Sequence, residues 1–494
     1  MEQTYDVIVI GAGPVGENAA DRAARGGLSV AVVEAELVGG ECSYWACIPS
    51  KTLLSPGAAR QAAREAPGVG DPGPLDVDAV LARRDEMTGQ GDDSGQEEWL
   101  DSVGITLVRG HGRLAGERTV EVVPATGVDD DAAGETHRLL ARCAVVVSTG
   151  SAAVVPDLPG LAEANPWTSR EATAAEAVPA SLVILGGGVV GVEMATLYAD
   201  LGARVTLLAR GGLLAGAEPF AGEMVAEALR DAGVDVRLGT TARRVERPAP
   251  GGPVTVTVGG DDGAEIVTAA ELLVATGRRP RTGDVGLDTV GLEPGAPLTI
   301  DDTTAVEEVG RDVVGKPWLF ACGDVTGRVG TTHQGKYQAR VTGDVVAALY
   351  GSGGDREAIV AASGARWSRY AARADHGAQT QAVFARPHVA WVGPTEAEAR
   401  RAGLPVRAVS YDLASVAGAA VTSPDHGGRA QVLVDTERDV LVGATFVGPD
   451  AAEMLHAATV AVVGEVPLDA LWHAVPPFPT VSEVWLRLLE ELGL

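Results

Sequence analysis

The feature that most constrains this chain is a unit that occurs twice: a short apolar strand, three glycines spaced G-x-G-x-x-G, a helix and a second strand. The first copy is YDVIVIGAGPVGENAADRAARGG followed by SVAVVEAE, and the second, at 181–212, is SLVILGGGVVGVEMATLYADLGARVTLLARGG. In the first copy Gly11 permits the tight turn, Gly13 lets backbone approach a pyrophosphate, and Gly16 lets the helix pack on the strand. Gly186, Gly188 and Gly191 repeat the spacing. A pyrophosphate suits the helix N-terminus, where free N–H groups and the dipole favour an anion. Two such units predict an α/β chain that binds two dinucleotides, which fits electron transfer between bound cofactors.

The two copies differ at the end of the second strand. Glu34 stands there in the first copy, 23 residues after Gly11, where an acid accepts hydrogen bonds from ribose hydroxyls. The second copy has Leu207-Leu208-Ala209-Arg210 and no acid. Arg210 suits a 2′-phosphate and therefore NADPH, with NADH the alternative. Gly191 is the opposing hint, because NADPH-type fingerprints often carry alanine at that place.

At 494 residues the chain is long enough for two to four domains. It has no apolar run of membrane-spanning length, and its first residues lead straight into a strand without the basic region of a signal peptide. Four cysteines rule out a disulfide scaffold and predict a reducing, cytoplasmic setting. The net charge of −28 argues against nucleic acid or an anionic membrane as partner. Part of that acid sits in clusters such as GVDDDAAGE at 127–135, expected to be solvated turn. Lysine occurs only as Lys51, Lys316 and Lys336, and arginine supplies the other 36 basic residues.

AVVVSTGSA (144–152), ELLVATGRRP (271–280) and PWLFACGDVTG (317–327) read as buried strands ending in small-residue turns that bring backbone near a ligand. The polar, glycine-rich stretches 88–97 and 247–263 read as connections. From about residue 351 the texture changes. RAVSYDLAS, RAQVLVDTERDVLVGATFVG and DAAEMLHAATVAVVG predict antiparallel strands followed by a helix, a separate α+β domain. The chain closes on a proline-rich loop and an amphipathic helix.

Cys42 and Cys47 stand five apart in GGECSYWACIPSKTLL, with Lys51 four residues on. A zinc site would need two further ligands at matching spacing, and neither the solitary Cys143 and Cys322 nor any histidine pair supplies them, so no metal site is expected. Two inert buried thiols are a second reading. A redox disulfide is the third. Residues five apart in a regular helix have Cα atoms about 8–9 Å apart, beyond disulfide reach. A bridge therefore requires an irregular turn before the Ile-Pro-Ser-Lys helix, and a strained, exposed bridge is the reducible kind.

Taken together, the fingerprints, Cys42-x4-Cys47 with Pro49-Ser50-Lys51, the ATG turn at 275–277 and CGDV at 322–325 resemble, in family order and over nearly the whole chain, the class I pyridine nucleotide-disulfide oxidoreductases. These are the flavoproteins of lipoamide dehydrogenase, glutathione reductase, mycothione reductase and mercuric reductase. The resemblance implies two Rossmann-like dinucleotide-binding domains plus a C-terminal α+β dimerisation domain: FAD-binding at 1–155 and 278–350, NAD(P)-binding at 156–277, and homodimer-forming at 351–494. It implies Glu34 on the adenosine ribose of FAD, Asp324 on its ribityl chain, and Thr149, Gly150, Thr332 and His333 along it. Gly40, Gly112 and, on the nicotinamide side, Gly277 join the cofactor-binding set. Cys47 would be the thiol beside the flavin, Cys42 the one exchanging with substrate, and Lys51 the cation near flavin N5, paired with Glu193. Cys143 and Cys322 match no family role and are expected to be small core residues.

The family's His-Pro-Thr-x-x-Glu, which places a catalytic base in the partner's site, here reads Phe478-Pro479-Thr480-Val481-Ser482-Glu483. The glutamate is kept and the base is lost; His473 could replace it only with a different loop path. No cysteine follows Cys322, so the C-terminal cysteine pair of mercuric reductase is missing too. The expected function is electron transfer from a nicotinamide through FAD and the Cys42–Cys47 pair to a small-molecule acceptor: a disulfide, a quinone or a metal ion. A lipoamide dehydrogenase-like or mercuric reductase-like enzyme, or a flavin redox sensor without turnover, is the alternative.

Overall fold

The structure is a computed structural model, and it describes residues 2–124, 136–260, 263–309, 315–351, 364–423 and 427–494. The acidic stretch 127–135 lies outside the described residues. The chain gathers into two compact units, one of Met1–Ile48, Thr88–Ala152 and Arg278–Asp375, the other of Pro49–Met87, Ala153–Gly277 and His376–Leu494.

In the first unit the strand Glu2–Ile10 pairs in parallel with Val30–Glu34 on one side and His137–Val147 on the other. Ile105–Arg109 extends the sheet beyond Val30–Glu34, and Leu319–Ala321 joins in parallel beside His137–Val147. The antiparallel strands Thr119–Val123 and His111–Leu114 complete seven. The register sets Ile10 beside Val33 and Val147, and Val147 beside Ala321. The residues that follow these strands, Gly11, Glu34, Ser148 and Cys322, therefore share the carboxyl edge, where open α/β sheets bind ligands.

Val7 and Val9 pack under Ala19, Ala20 and Ala23 of the helix Pro14–Arg25 and Ala339, Val345 and Val346 of the helix Thr332–Tyr350. The alanine-rich composition has a steric cause. A Cβ on Gly343 would stand 2.4 Å from the Arg22 Cβ, and one on Gly26 would stand 2.3 Å from the Ala347 Cβ, so the two helices are as close as side chains allow. A bidentate bond from Arg22 to Asp344, at 2.8 and 2.7 Å, fastens the seam.

The second unit repeats the arrangement in smaller form. Its parallel sheet runs Asp235–Arg237, Arg204–Leu208, Ser181–Leu185, Glu271–Val274. The helix Val189–Asp200 is buried on nearly every side, which explains its lack of a polar face. A five-stranded antiparallel sheet follows, in the order Thr380–Val383, Val389–Val392, Val440–Val447, Arg429–Asp435, Val406–Asp412, with the helix Ala451–Gly464 against it.

Two stretches expected to be connections are ordered elements. The segment 247–263 contains the strand Val254–Gly260, which pairs with Gly263–Ala269 and Thr241–Glu246 in a three-stranded antiparallel sheet. Val254, Val256 and Val258 are its buried face, so the alternation of valine and threonine outweighs the flanking glycines. Within 88–97, a helix begins at Ser94 and runs to Ser102.

Candidate active site

Both fingerprints are closed by backbone at their outer glycines and open at the middle one. Gly11 has φ +101°, and a Cβ there would stand 2.6 Å from the Ser148 carbonyl oxygen; one on Gly16 would stand 1.8 Å from the Gly11 oxygen. Around Gly13 a Cβ would meet nothing within 4 Å. In the second unit Gly186 (φ +123°) would meet the Ala275 oxygen at 2.2 Å and Gly191 the Gly186 oxygen at 1.9 Å, while Gly188 is open. Open space at the helix N-terminus, floored by backbone, is the shape a pyrophosphate fits, and each unit has one. Gly150 (φ +71°) and Gly277 (φ +131°) border open space as well.

Glu34 folds back on the first fingerprint. Its Oε2 accepts from the Ala12 N–H at 2.7 Å and its Oε1 from the Glu36 N–H at 2.8 Å. Burial raises this carboxyl above its usual range, opposed by those N–H groups. Gly40 (φ +53°) packs on the loop, its would-be Cβ 2.9 Å from the Gly13 Cα. Gly112 serves the sheet, since a Cβ there would strike Val33 at 2.8 Å. Thr149 Oγ1 donates to the Arg281 oxygen at 2.7 Å. Asp324 accepts a hydrogen bond from Ser151, which in turn receives Arg278 Nε at 2.8 Å. Sequence reasoning missed Ser151 and Arg278, although both stand inside the turns it singled out. His333 is exposed, with its ring 3.2 Å from the Thr331 hydroxyl. Arg210 is exposed just beyond the strand Arg204–Leu208.

The cysteines sit on two helices, not one. Cys42 lies on Gly40–Tyr44, the chain breaks at Trp45 and Ala46, and Cys47 opens the helix Cys47–Glu65. This break is the kind of irregular turn that a bridge between Cys42 and Cys47 would require. The two thiols are hydrogen-bonded to each other, and that bond is the first cause raising the Cys42 thiol above its usual range. Burial and negative charge on Cys47 add to it, while the Thr332 hydroxyl and the Lys336 ammonium oppose it. Cys47 Sγ stands 3.2 Å from Thr332 Oγ1, and each of these residues begins a helix. Two helix N-termini and a hydroxyl favour charge on that sulfur.

One turn beyond Cys47, Lys51 Nζ stands 2.8 Å from Glu193 Oε2. Glu193 is 3% exposed, and its other oxygen accepts the Phe384 N–H at 2.9 Å. The ammonium also lies over the Phe384 ring, 5.2 Å from its centroid. Nothing in the sequence pointed to Phe384. The other two lysines are placed as well: Lys336 acts on Cys42, and Lys316 donates to the Leu349 oxygen at 2.5 Å with its Nζ over the Tyr350 ring. Cys322 is fully buried and burial pushes its thiol up to about 12; Cys143 is half-buried.

At the C-terminus Phe478 is 75% exposed. Glu483 is buried and engaged at both oxygens, with Arg487 Nη2 at 2.6 Å and the Ala417 N–H at 3.2 Å. Arg487, one turn on, holds this carboxylate.

Residues 5–339 match the family described as pyridine nucleotide-disulphide oxidoreductase, and residues 380–488 match its dimerisation domain. A mercuric reductase of Streptomyces lividans is 31% identical over 485 residues, 97% of this chain and 94% of that one. A dihydrolipoyl dehydrogenase of Halobacterium salinarum is 31% identical over 498 residues, 98% of this chain and 95% of that one. Among solved structures, the Cu(II) complex of the HOCl-induced flavoprotein disulfide reductase RclA from Escherichia coli superposes with a TM-score of 0.78 at 23% identity, covering 99% of both chains, a likeness of fold. Glycine cradles, cysteine pair and full-length relatives agree: the chain belongs to the pyridine nucleotide-disulphide oxidoreductase family and is an FAD-dependent enzyme that uses a pyridine nucleotide.

Proposed function

We propose that this enzyme passes electrons from NADPH, through FAD, to the Cys42–Cys47 pair and on to a small-molecule acceptor that needs little proton transfer from the protein, such as a quinone or a metal ion. The observation that carries the proposal is the cysteine pair on its broken helix, with Thr332 against Cys47. Bound FAD supplies the two-electron carrier between a nicotinamide and a disulfide. The division of labour follows the sequence: 1–155 and 278–350 for FAD, 156–277 for the nicotinamide, 351–494 for pairing with a second copy.

Each residue has work of its own. Gly11, Gly13 and Gly16 admit the FAD pyrophosphate, Glu34 orients its ribose, and Asp324 its ribityl hydroxyls. Arg210 holds a 2′-phosphate by a charge-assisted bond. Cys47 keeps its charge at the helix ends, and Cys42 holds the proton and meets the acceptor. Lys51 supplies a cation whose charge Glu193 fixes in place. Reduction of the bridge to a thiolate at Cys47 and a thiol at Cys42 takes two electrons and one proton, and that proton ends on Cys42. Phe478 cannot take it, and Glu483 is held by Arg487, which favours acceptors that draw electrons without a matched proton donor. The acidic surface suits neither nucleic acid nor an anionic membrane. Among the described residues no helix is long and apolar enough to cross a membrane, and a cytoplasmic site is the proposal that accompanies it.

The test is steady-state NADPH oxidation by the purified holoenzyme with lipoamide, low-molecular-weight disulfides, a quinone and Cu(II) or Hg(II). Quinone or metal reduction at least tenfold faster than lipoamide reduction supports the proposal. Lipoamide as the best acceptor overturns it, and turnover with none of them favours a redox sensor.

A further inference from the structure

Glu17 is a carboxylate for which neither the fingerprint nor any ion pair among the described residues accounts. It follows Gly16 in the first turn of the helix Pro14–Arg25. Among the described residues its buried Oε1 has no hydrogen-bond partner. The matching position of the second fingerprint is Val192, fully buried and apolar, so the packing of such a helix does not call for an acid.

Two further elements converge on Glu17. The Glu17 N–H donates to the Gly13 oxygen at 3.1 Å, which puts Glu17 one turn beyond the point where Gly40 packs on Gly13. Gly40 begins the short helix that carries Cys42 and Tyr44. From the other side comes the helix Thr332–Tyr350, whose Thr332 touches Cys47 and whose Lys336 is one turn further on. Lys336 acts on both Glu17 and Cys42. Among the described residues, the charge of Glu34 on the neighbouring strand also acts on Glu17, and Tyr44 feels Glu17 together with Asp93, Asp92 and Arg109. The Arg22–Asp344 pair lies further along the seam.

We propose that Glu17 is a positioning residue for the proton of Cys42, acting through the positive charge of Lys336, which both of them feel. One ammonium compensates one buried anion. With Glu17 ionised, its charge offsets that of the Lys336 ammonium and Cys42 keeps its proton; with Glu17 protonated, the ammonium favours the Cys42 thiolate. The proton that leaves Cys42 Sγ is matched by one held on Glu17 Oε, so the charge of the cluster is unchanged and no electron moves. Burial supports the assignment by raising the Glu17 carboxyl to about 7, against Lys336 and with Glu34, which places the exchange near neutral pH. This device supplies, within one chain, part of the proton management that Phe478 does not.

The inference rests on Cys42–Cys47 being the redox pair. The test therefore uses holoprotein reduced with dithiothreitol and follows alkylation of Cys42 by iodoacetamide against pH, with peptide mass mapping to separate it from Cys47. Glutamine is the isosteric stand-in for the protonated acid, so Glu17→Gln keeps the packing. At pH 8 Glu17→Gln should alkylate at least about threefold faster than wild type, the effect of a half-unit change in thiol ionisation, and at pH 5.5 the two should agree. Glu17→Asp should restore the wild-type profile, and Lys336→Gln should erase the difference made by Glu17→Gln. Coincident profiles for wild type and Glu17→Gln, or a Cys42 that does not alkylate at any pH, overturn the inference. The redox pair itself is judged separately, by whether NADPH alone exposes the two thiols.

Discussion

The two fingerprints fold alike and differ only where a ligand would meet side chains. A Cβ on the third glycine would stand 1.8 Å from backbone in one and 1.9 Å in the other, and the middle glycine is open in both. At the end of the second strand, however, Glu34 is tied to two backbone N–H groups, whereas Arg210 stands exposed. Behind the third glycine, one helix has Glu17 and the other Val192. Backbone sterics thus make the cradle, and a few flanking side chains decide what it holds and how its charge is balanced.

The severest test of that comparison is Gly16→Val set against Gly191→Val. Each forces a side chain into a carbonyl oxygen, with overpacking that costs about 3 kcal/mol or more. The first should leave purified protein with less than a tenth of its FAD, read from flavin absorbance. The second should keep its FAD and lose reduction by NADPH. Equal loss of FAD from both would show that the cradles are not assigned as proposed.

A smaller effect is expected at Arg210. Arg210→Ala should weaken NADPH by roughly 1.5–3 kcal/mol, the scale of a charge-assisted bond, and leave NADH little changed, as read from the KM of each. Equal use of both nucleotides by the wild type would remove the asymmetry between the second strands.

The smallest effect concerns stability. Glu17 has a folded value of about 7 against an ordinary 4.5. For an acid raised in this way there is no penalty below about pH 4.5; the penalty grows as pH rises and is full above 7. Glu17→Gln should therefore stabilise the holoprotein by about 1–2 kcal/mol at pH 8 and by nothing at pH 4, measured by urea unfolding. The same stability at pH 8 would mean that Glu17 is no more strained than Val192.

The glycines were legible in the sequence because no other residue fits positions so close to backbone; Gly16 and Gly191 are the plainest cases. The valine–threonine alternation of 254–258 was legible in principle, but glycines on either side drew it into a loop. The turn between the cysteines was legible only on the reading that they form a bridge, because a regular helix holds residues five apart too far from each other. Phe384 could not be found. It meets Lys51 and Glu193 from far along the chain, just past the strand Thr380–Val383, with no motif to mark it. Arg487 stands one helical turn from Glu483, a spacing that announces an ion pair, yet the missing histidine drew attention away from it. Glu17 was hidden by the motif itself, which accounts for its neighbours and assigns no role to the residue after the third glycine.

The scarcity of lysine turns this protein into its own reporter. With three ε-amines in 494 residues, reductive methylation with carbon-13 formaldehyde would yield three lysine signals apart from the α-amine. One comes from Lys51, a helical turn after Cys47, and one from Lys336, whose charge acts on Cys42; Lys316, over Tyr350, serves as an internal reference. One of the three labels thus lies a helical turn along the chain from Cys47 and a second acts on the charge of Cys42, so a one-dimensional spectrum would follow the charge state of the pair without a single engineered probe.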